Sequence, residues 1–105
     1  MKKQISTPCD RRRVVITGMG ALTPVGLTVE DTWEALLAGR SGIDLMTIGH
    51  LDDCPSQIAG ELKGFQARDY LGAKEAKRLA RFSQMAVIAA QMALDDAGLE
   101  LSDEA

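Results

Sequence analysis

The residue types that most often do chemistry are sparse in this 105-residue sequence. His50 lies four residues before Cys54, a spacing that could pair an imidazole with a thiolate. No helix start or small-residue turn is predicted beneath Cys54, and no third residue is placed to orient His50. The carboxylates of Asp52-Asp53 and Asp95-Asp96 are adjacent rather than facing, as is typical of solvated loops and helix ends. The sequence therefore predicts neither a nucleophilic centre nor a metal site.

A strand-like run followed by Gly18-Met19-Gly20 invites a dinucleotide-binding interpretation. That fingerprint needs a third glycine three residues after the second, where a helix N-terminus faces the pyrophosphate. Thr23 occupies this position and Pro24 follows it, while helix signals begin only at Thr28. The spacing argues against dinucleotide binding, and no cofactor is predicted. The glycines instead indicate a turn of positive φ, or a backbone that passes close to a neighbour.

A group of four basic residues is the remaining candidate for a functional site. Lys74, Lys77, Arg78 and Arg81 lie at i, i+3, i+4 and i+7, so one continuous helix would present them as a single positive stripe. Such a stripe is most simply a solvated helix face. It also suits recognition of a compact acidic partner, because surface charges steer encounter. The residues alone leave both interpretations open.

The composition limits the class of protein. With 46% hydrophobic and 26% charged residues, it is typical of a soluble globular protein, and no apolar run approaches the ~20 residues of a membrane span. The net charge of −3 gives no overall reason to propose nucleic acid or an anionic membrane as a partner. Cys9 and Cys54 lack metal-type spacing, which favours reduced thiols and a cytoplasmic location. Residues 1–11 are predicted to be a disordered basic arm, since they lack the apolar core of a secretion signal.

Hydrophobic patterning predicts the elements that carry these residues. Residues 13–17 are typical of a strand covered on both faces, which indicates an α/β protein. Thr28, with Asp31 three residues later, predicts the N-terminus of a first helix that ends at Gly39. Residues 40–55 show no clear period and are predicted to be irregular, and residues 57–62 alternate as a short, half-exposed strand would.

A long helix is predicted from residue 74 to residue 97, closed by Gly98 in the left-handed conformation. Its segment 85–94 contains a single polar residue, Gln91. A helix that is apolar almost all round must be covered on more than one side, and nothing else in the sequence is large enough to do so. We therefore interpret the chain as the N-terminal part of a larger protein.

Taken in order, these segments resemble the N-terminus of a β-ketoacyl-acyl carrier protein synthase, the condensing enzyme of fatty-acid and polyketide synthesis, and most closely the synthase II type. The resemblance depends on the order and spacing of short motifs: Arg13-Val14-Val15-Ile16-Thr17-Gly18-Met19-Gly20, Thr23-Pro24-Val25-Gly26, Thr32-Trp33, Leu36-Leu37-Ala38-Gly39-Arg40-Ser41-Gly42-Ile43, Arg81-Phe82, Ala89-Ala90 and Asp96-Ala97-Gly98-Leu99. It implies a thiolase-like, five-layer αβαβα fold, usually dimeric. Residues 12–105 would form an incomplete, N-terminal portion of the synthase N-terminal domain.

The resemblance also implies an acyltransferase reaction. An acyl group passes from carrier protein to a cysteine thiolate, malonyl-carrier protein loses carbon dioxide, and the resulting carbanion attacks the thioester while two histidines stabilise the developing charge. In the family these three residues lie beyond the region that this sequence matches, so Cys9, Cys54 and His50 are not their counterparts. No catalytic residue is assigned, and the 105-residue chain is predicted to be inactive.

One functional surface is carried over from the family. Lys74, Lys77 and Arg78 match positions that contribute to the docking surface for acidic acyl carrier protein, which favours docking over a merely solvated face. The sequence departs from the family where Ala80-Arg81 precede Phe82, since an acidic residue often stands shortly before that phenylalanine. This departure leaves the local pairing of Arg78 and Arg81 open.

Three alternatives remain at this point. The sequence could belong to a polyketide ketosynthase, or to a chain-length-factor homologue that has lost its nucleophile. It could also be a non-catalytic carrier-protein-binding module, which would have to fold by itself.

Overall fold

A computed structural model describes residues 11–49 and 51–101 of the chain. The elements in chain order are α1 (Val29–Leu37), β1 (Ile43–Leu45), a short 3₁₀ turn (Leu51–Asp53), β2 (Ile58–Gly60), α2 (Arg68–Leu71), α3 (Ala73–Arg78) and α4 (Arg81–Ala97). The predictions for the basic arm (apart from Arg11), for Cys9 and for His50 fall outside the described residues. No helix in the described part combines the length and apolar content that crossing a membrane requires.

Helix α1 begins as its sequence predicts. Thr28 has extended backbone angles, and its hydroxyl oxygen accepts a hydrogen bond from the Asp31 N–H at 3.0 Å. This bond satisfies one of the amides that the first turn leaves without a helical partner. Gly39, with a φ of +69°, follows the last turn and ends the helix, so both predicted boundaries are confirmed.

Strands β1 and β2 form an antiparallel ribbon with the register Ile43↔Gly60, Asp44↔Ala59 and Leu45↔Ile58. The strand predicted within residues 57–62 is therefore confirmed in its middle. The prediction that residues 40–55 are irregular is wrong for β1, because a three-residue strand is too short to display a period of two and depends on its partner.

Residues 13–17 do not form the predicted strand. Val14 is 93% exposed and Ile16 is 84% exposed. A strand is defined by its ladder of hydrogen bonds, and the sheet in the described part of the chain consists of β1 and β2 without this segment. The strand prediction is therefore wrong for the described residues, because a run of apolar residues does not by itself supply a strand partner.

The predicted helix over residues 74–97 is two helices. Leu79 has an extended backbone (φ −109°, ψ 139°), which ends α3, and α4 starts at Arg81. In a continuous helix the Ala76 carbonyl would accept the Ala80 N–H; here the Gln84 side-chain Nε2 donates to it at 2.7 Å. The side chain thus replaces the missing backbone donor and stabilises the break. The predicted end is confirmed, since Gly98 is left-handed (φ 70°, ψ 26°).

Helix α4 is packed closely against the glycine segment. A Cβ atom added to Gly18 would lie 2.5 Å from the Ala93 carbonyl oxygen, and one added to Gly20 would overlap the Ala89 carbonyl oxygen. Neither glycine has a positive φ. Of the two roles predicted for these glycines, the structure confirms close backbone approach.

Much apolar surface remains uncovered. The buried hydrophobic side chains among the described residues are Ala35, Phe65 and Ile88, whereas Phe82 is 73% exposed and Leu37 is 70% exposed. An open cavity of about 600 Å³ lies between α2 and α4. The further cover predicted for α4 is therefore not supplied by the described residues.

Candidate functional site

Helix α3 carries the three predicted docking residues. Lys74, Lys77 and Arg78 keep their i, i+3, i+4 spacing within this single helix, and all three residues are exposed. Residues at this spacing lie on one helix face. The structure therefore brings the three side chains to a common, solvent-facing surface, which we call the α3 basic face.

Arg78 has one carboxylate neighbour on the same helix. Its Nη1 atom lies 3.3 Å from Glu75 Oε1, with both side chains more than half exposed. Exposed ion pairs at this spacing contribute only about 0.3–0.5 kcal/mol, so a partner protein can displace Glu75 at little cost. No carboxylate oxygen among the described residues lies within 4.0 Å of Lys74 or Lys77. The α3 basic face is thus largely unneutralised.

Arg81 does not extend this face. It is the first residue of α4, beyond the break at Leu79, and its guanidinium carbon lies 5.3 Å from the centre of the Phe65 ring. The predicted four-residue stripe is therefore wrong in its fourth member. The pairing that the sequence left open is now resolved: Arg78 pairs with Glu75, and Arg81 stacks over Phe65 as a cation–π contact.

Phe65 provides a fixed platform for Arg81. Its side chain is 5% exposed, and its ring centre lies 5.8 Å from that of Tyr70 on α2, at an interplanar angle of 30°. Tilted aromatic pairs at this distance contribute beyond the area they bury. The buried ring consequently holds the start of α4 close to α2.

A groove of about 400 Å³ opens between α2, α3 and the start of α4. Its lining includes the cations Arg68, Lys77 and Arg81, together with Phe65 and Gln84. Arg68 was not predicted as a site residue, because α2 has only four residues and no periodic pattern links it to α3. The remaining signal was compositional, a further cation six residues before Lys74.

The structure assembles no catalytic centre from the described residues. Cys54 is a half-buried free thiol that follows the short 3₁₀ turn containing Asp52 and Asp53. Within the described ranges, no three His, Cys, Asp or Glu side chains come together as a metal site. The described residues do place several exposed cations close together, on α3 and around the groove beside it.

Comparison with known proteins identifies the family. The family model described as "Beta-ketoacyl synthase, N-terminal domain" matches residues 11–105. The chain belongs to the β-ketoacyl synthase family. The resemblance drawn from the sequence motifs is confirmed.

Relatives named 3-oxoacyl-[acyl-carrier-protein] synthase 2 align with 90% of the chain. Identity is 48% over 94 residues with the protein of Staphylococcus aureus strain N315. It is 47% over 97 residues with that of Vibrio cholerae and 44% over 94 residues with that of Synechocystis. In each case this β-ketoacyl synthase chain spans 23% of the relative's length.

A solved structure shares the fold of the described residues. The ishigamide ketosynthase/chain length factor superposes with a TM-score of 0.74 at 36% identity, covering 86% of this chain and 22% of that chain. The described part of the chain is therefore a small α/β unit of ketosynthase type.

Proposed function

We propose that this chain is the N-terminal portion of a 3-oxoacyl-acyl carrier protein synthase of fatty-acid biosynthesis. The observation that carries the proposal is the 44–48% identity, over 90% of the chain, to three relatives that bear this name. The complete protein would be an acyltransferase that joins an acyl group to malonyl-carrier protein by decarboxylative Claisen condensation.

The residues of this chain would contribute to recognition of a partner and to the hydrophobic core, and they would not include the catalytic groups. Condensation needs a thiolate nucleophile and donors that stabilise an enolate and an oxyanion. In the family these groups lie beyond the positions matched here, and Cys54 is not among them. The 105-residue chain by itself is therefore proposed to be inactive.

The condensation proposal is tested with the complete protein, acyl-carrier protein and malonyl-carrier protein. Mass spectrometry of the carrier should show a 3-oxoacyl group two carbons longer than the starting acyl group, with one carbon dioxide released per product. Release of carbon dioxide without chain extension would indicate a chain-length-factor-like protein. Absence of both would contradict a condensing enzyme and favour a non-catalytic binding module.

A polyketide ketosynthase or chain length factor is the second candidate. Its support is the shared fold with the ishigamide ketosynthase/chain length factor. The same assay separates the two pathways when malonyl-carrier protein is supplied in excess and reductases are left out. A single extension supports the fatty-acid assignment, whereas repeated extension with retained keto groups supports the polyketide alternative.

The α3 basic face is proposed to dock acyl carrier protein. Support comes from three exposed cations on one face, of which Lys74 and Lys77 have no carboxylate neighbour among the described residues. Opposite charges on a partner would steer its approach, and this effect weakens with added salt. In the complete protein, Lys77→Glu should raise the Kd for acyl carrier protein about tenfold at low salt. Arg40→Glu, an exposed change after α1, is the matched control, and equal effects would contradict docking at α3.

The exposed apolar side chains of this chain support a proposal about the protein that packs against it. Exposed Val14, Ile16 and Leu37 indicate apolar area that further protein would cover. A five-layer, thiolase-like fold in a cytoplasmic homodimer would supply that cover. Sedimentation velocity of the complete protein should give the mass of a dimer, and a monomer would contradict this assignment.

A further inference from the structure

The groove beside α3 contains two cations, Arg68 and Arg81, that the docking proposal does not use. Arg68 comes from α2, Lys77 from α3 and Arg81 from α4, and all three line the same open space. Three separate helices therefore direct positive charge into one concave site. Concave sites of a single sign of charge concentrate the electrostatic potential.

These charges are unneutralised in the described part of the chain. No carboxylate oxygen there lies within 4.0 Å of Arg68, Lys77 or Arg81. Ala80, rather than an acidic residue, precedes Arg81, so no carboxylate stands beside it in the sequence. All three cations of the groove are therefore without an ion-pair partner in the described residues, whereas Arg78 of the α3 basic face is paired with Glu75.

Arg81 is positioned by its contact with Phe65. Its guanidinium carbon lies over the Phe65 ring, 5.3 Å from the ring centre, while the residue stays exposed. A guanidinium group presents its N–H donors in a planar fork that can pair with both oxygens of a carboxylate. Phe65 is itself buried, so it restricts the positions open to Arg81 before any partner arrives.

The groove is continuous with the α3 basic face, because Lys77 belongs to both. We propose that the groove receives acidic side chains of acyl carrier protein, with Arg68 and Arg81 pairing with their carboxylates. This inference depends on the proposed docking function and adds two residues to it. Charge complementarity decides the occupant, since three cations without counter-charges suit an acidic surface rather than an apolar one.

The test measures the Kd for acyl carrier protein in the complete protein at several salt concentrations. Arg68→Glu and Arg81→Glu together should raise the Kd about tenfold or more at low salt, and the difference should shrink as salt is added. Arg81→Lys keeps the charge but loses the planar pair of N–H donors, so it should raise the Kd less than Arg81→Glu does. Arg40→Glu again controls for net charge, since Arg40 does not line this groove.

The outcomes separate this inference from the docking proposal. If Lys77→Glu weakens binding while Arg68→Glu and Arg81→Glu do not, the groove is not used and only the α3 basic face docks. If none of the three weakens binding, both proposals are overturned. Should Arg81→Glu unfold the protein through loss of the Phe65 contact, Arg68→Glu alone decides, and an unchanged Kd overturns the groove proposal.

Discussion

The main-chain N–H of Met19 donates a hydrogen bond of 2.9 Å to Asp96 Oδ2, which joins positions 77 residues apart. This bond lies at one end of the contact between the glycine segment and α4. Gly18 and Gly20 allow the two backbones to approach, and Asp96 then fixes their register along the helix. A side chain near the C-terminus of α4 thus anchors a segment close to the start of the described chain.

Asp96→Ala should lower the free energy of unfolding of the complete protein by about 1 kcal/mol, because it removes the acceptor for the Met19 amide. Asp95→Ala is the matched control. Asp95 accepts only a local hydrogen bond from Gln91 Nε2 at 2.8 Å, so its loss should cost less than about 0.5 kcal/mol. Urea unfolding measures both, and equal losses would show that the Met19 contact has no special role.

Gly20→Ala should destabilise the complete protein by about 1–3 kcal/mol, since its new methyl group would overlap the Ala89 carbonyl and force the glycine segment away from α4. Gly39→Asn provides the comparison. A Cβ at Gly39 meets no atom within 4 Å, and asparagine tolerates its positive φ. Thermal unfolding should therefore show the larger shift for Gly20→Ala, and the opposite order would contradict the close packing.

The Glu61 carboxylate should make stability depend on pH in the acidic range. The Thr47 N–H donates to it at 3.0 Å and the Ile48 N–H at 3.0 Å, and these bonds, led by that of Thr47, lower the pKa of Glu61 below its usual 4.5. A lowered folded-state pKa stabilises the fold above about pH 4.5, and this contribution is lost as the pH falls through the folded value.

Glu61→Gln should consequently be less stable than the unmodified protein at pH 7, with a difference that shrinks as the pH falls below 4.5. Glu100→Gln serves as the control, because Glu100 is exposed and accepts no hydrogen bond from the described residues. Unfolding by urea across this pH range tests the expectation. A stability difference for Glu61→Gln that is independent of pH would refute it.

Local signals in the sequence predicted the parts of the fold that depend on neighbouring residues. Thr28 caps α1 and Gly98 ends α4, because each acts through backbone groups within a few residues. The break at Leu79 was not predictable in the same way. It depends on Gln84 reaching back to the Ala76 carbonyl, and glutamine is otherwise an ordinary helix former.

Long-range contacts explain the remaining differences. Lys63 Nζ donates to the Gly42 carbonyl at 2.9 Å and to the Pro24 carbonyl at 3.2 Å, joining three loops in a way that no spacing in the sequence reveals. Likewise, Arg81 stacks on Phe65, sixteen positions earlier, rather than continuing the basic stripe. The resemblance to the family predicted docking residues on α3, and that role stays a prediction, whereas the groove beside them required the relative placement of three helices.

The 105-residue chain, prepared by itself, should lack a cooperative thermal transition. Large apolar side chains such as Val14, Phe82 and Leu37 are mostly exposed, so little hydrophobic burial offsets the conformational entropy lost on folding. Amide hydrogen exchange in α4 should be fast in this chain and slow in the complete protein. A sharp transition with protected α4 amides would instead support an independent carrier-binding module.

Recognition of a carrier protein by α3, rather than of the reacting acyl group, can be measured as kcat/KM of the complete protein for two forms of one substrate. The double variant Lys77→Glu, Arg78→Glu should lower kcat/KM for acyl groups on carrier protein by about tenfold or more, because like charges then oppose docking. For the same acyl group on a small thioester, kcat/KM should change by less than about twofold. An equal loss of kcat/KM with both substrates would contradict recognition of the carrier protein by α3.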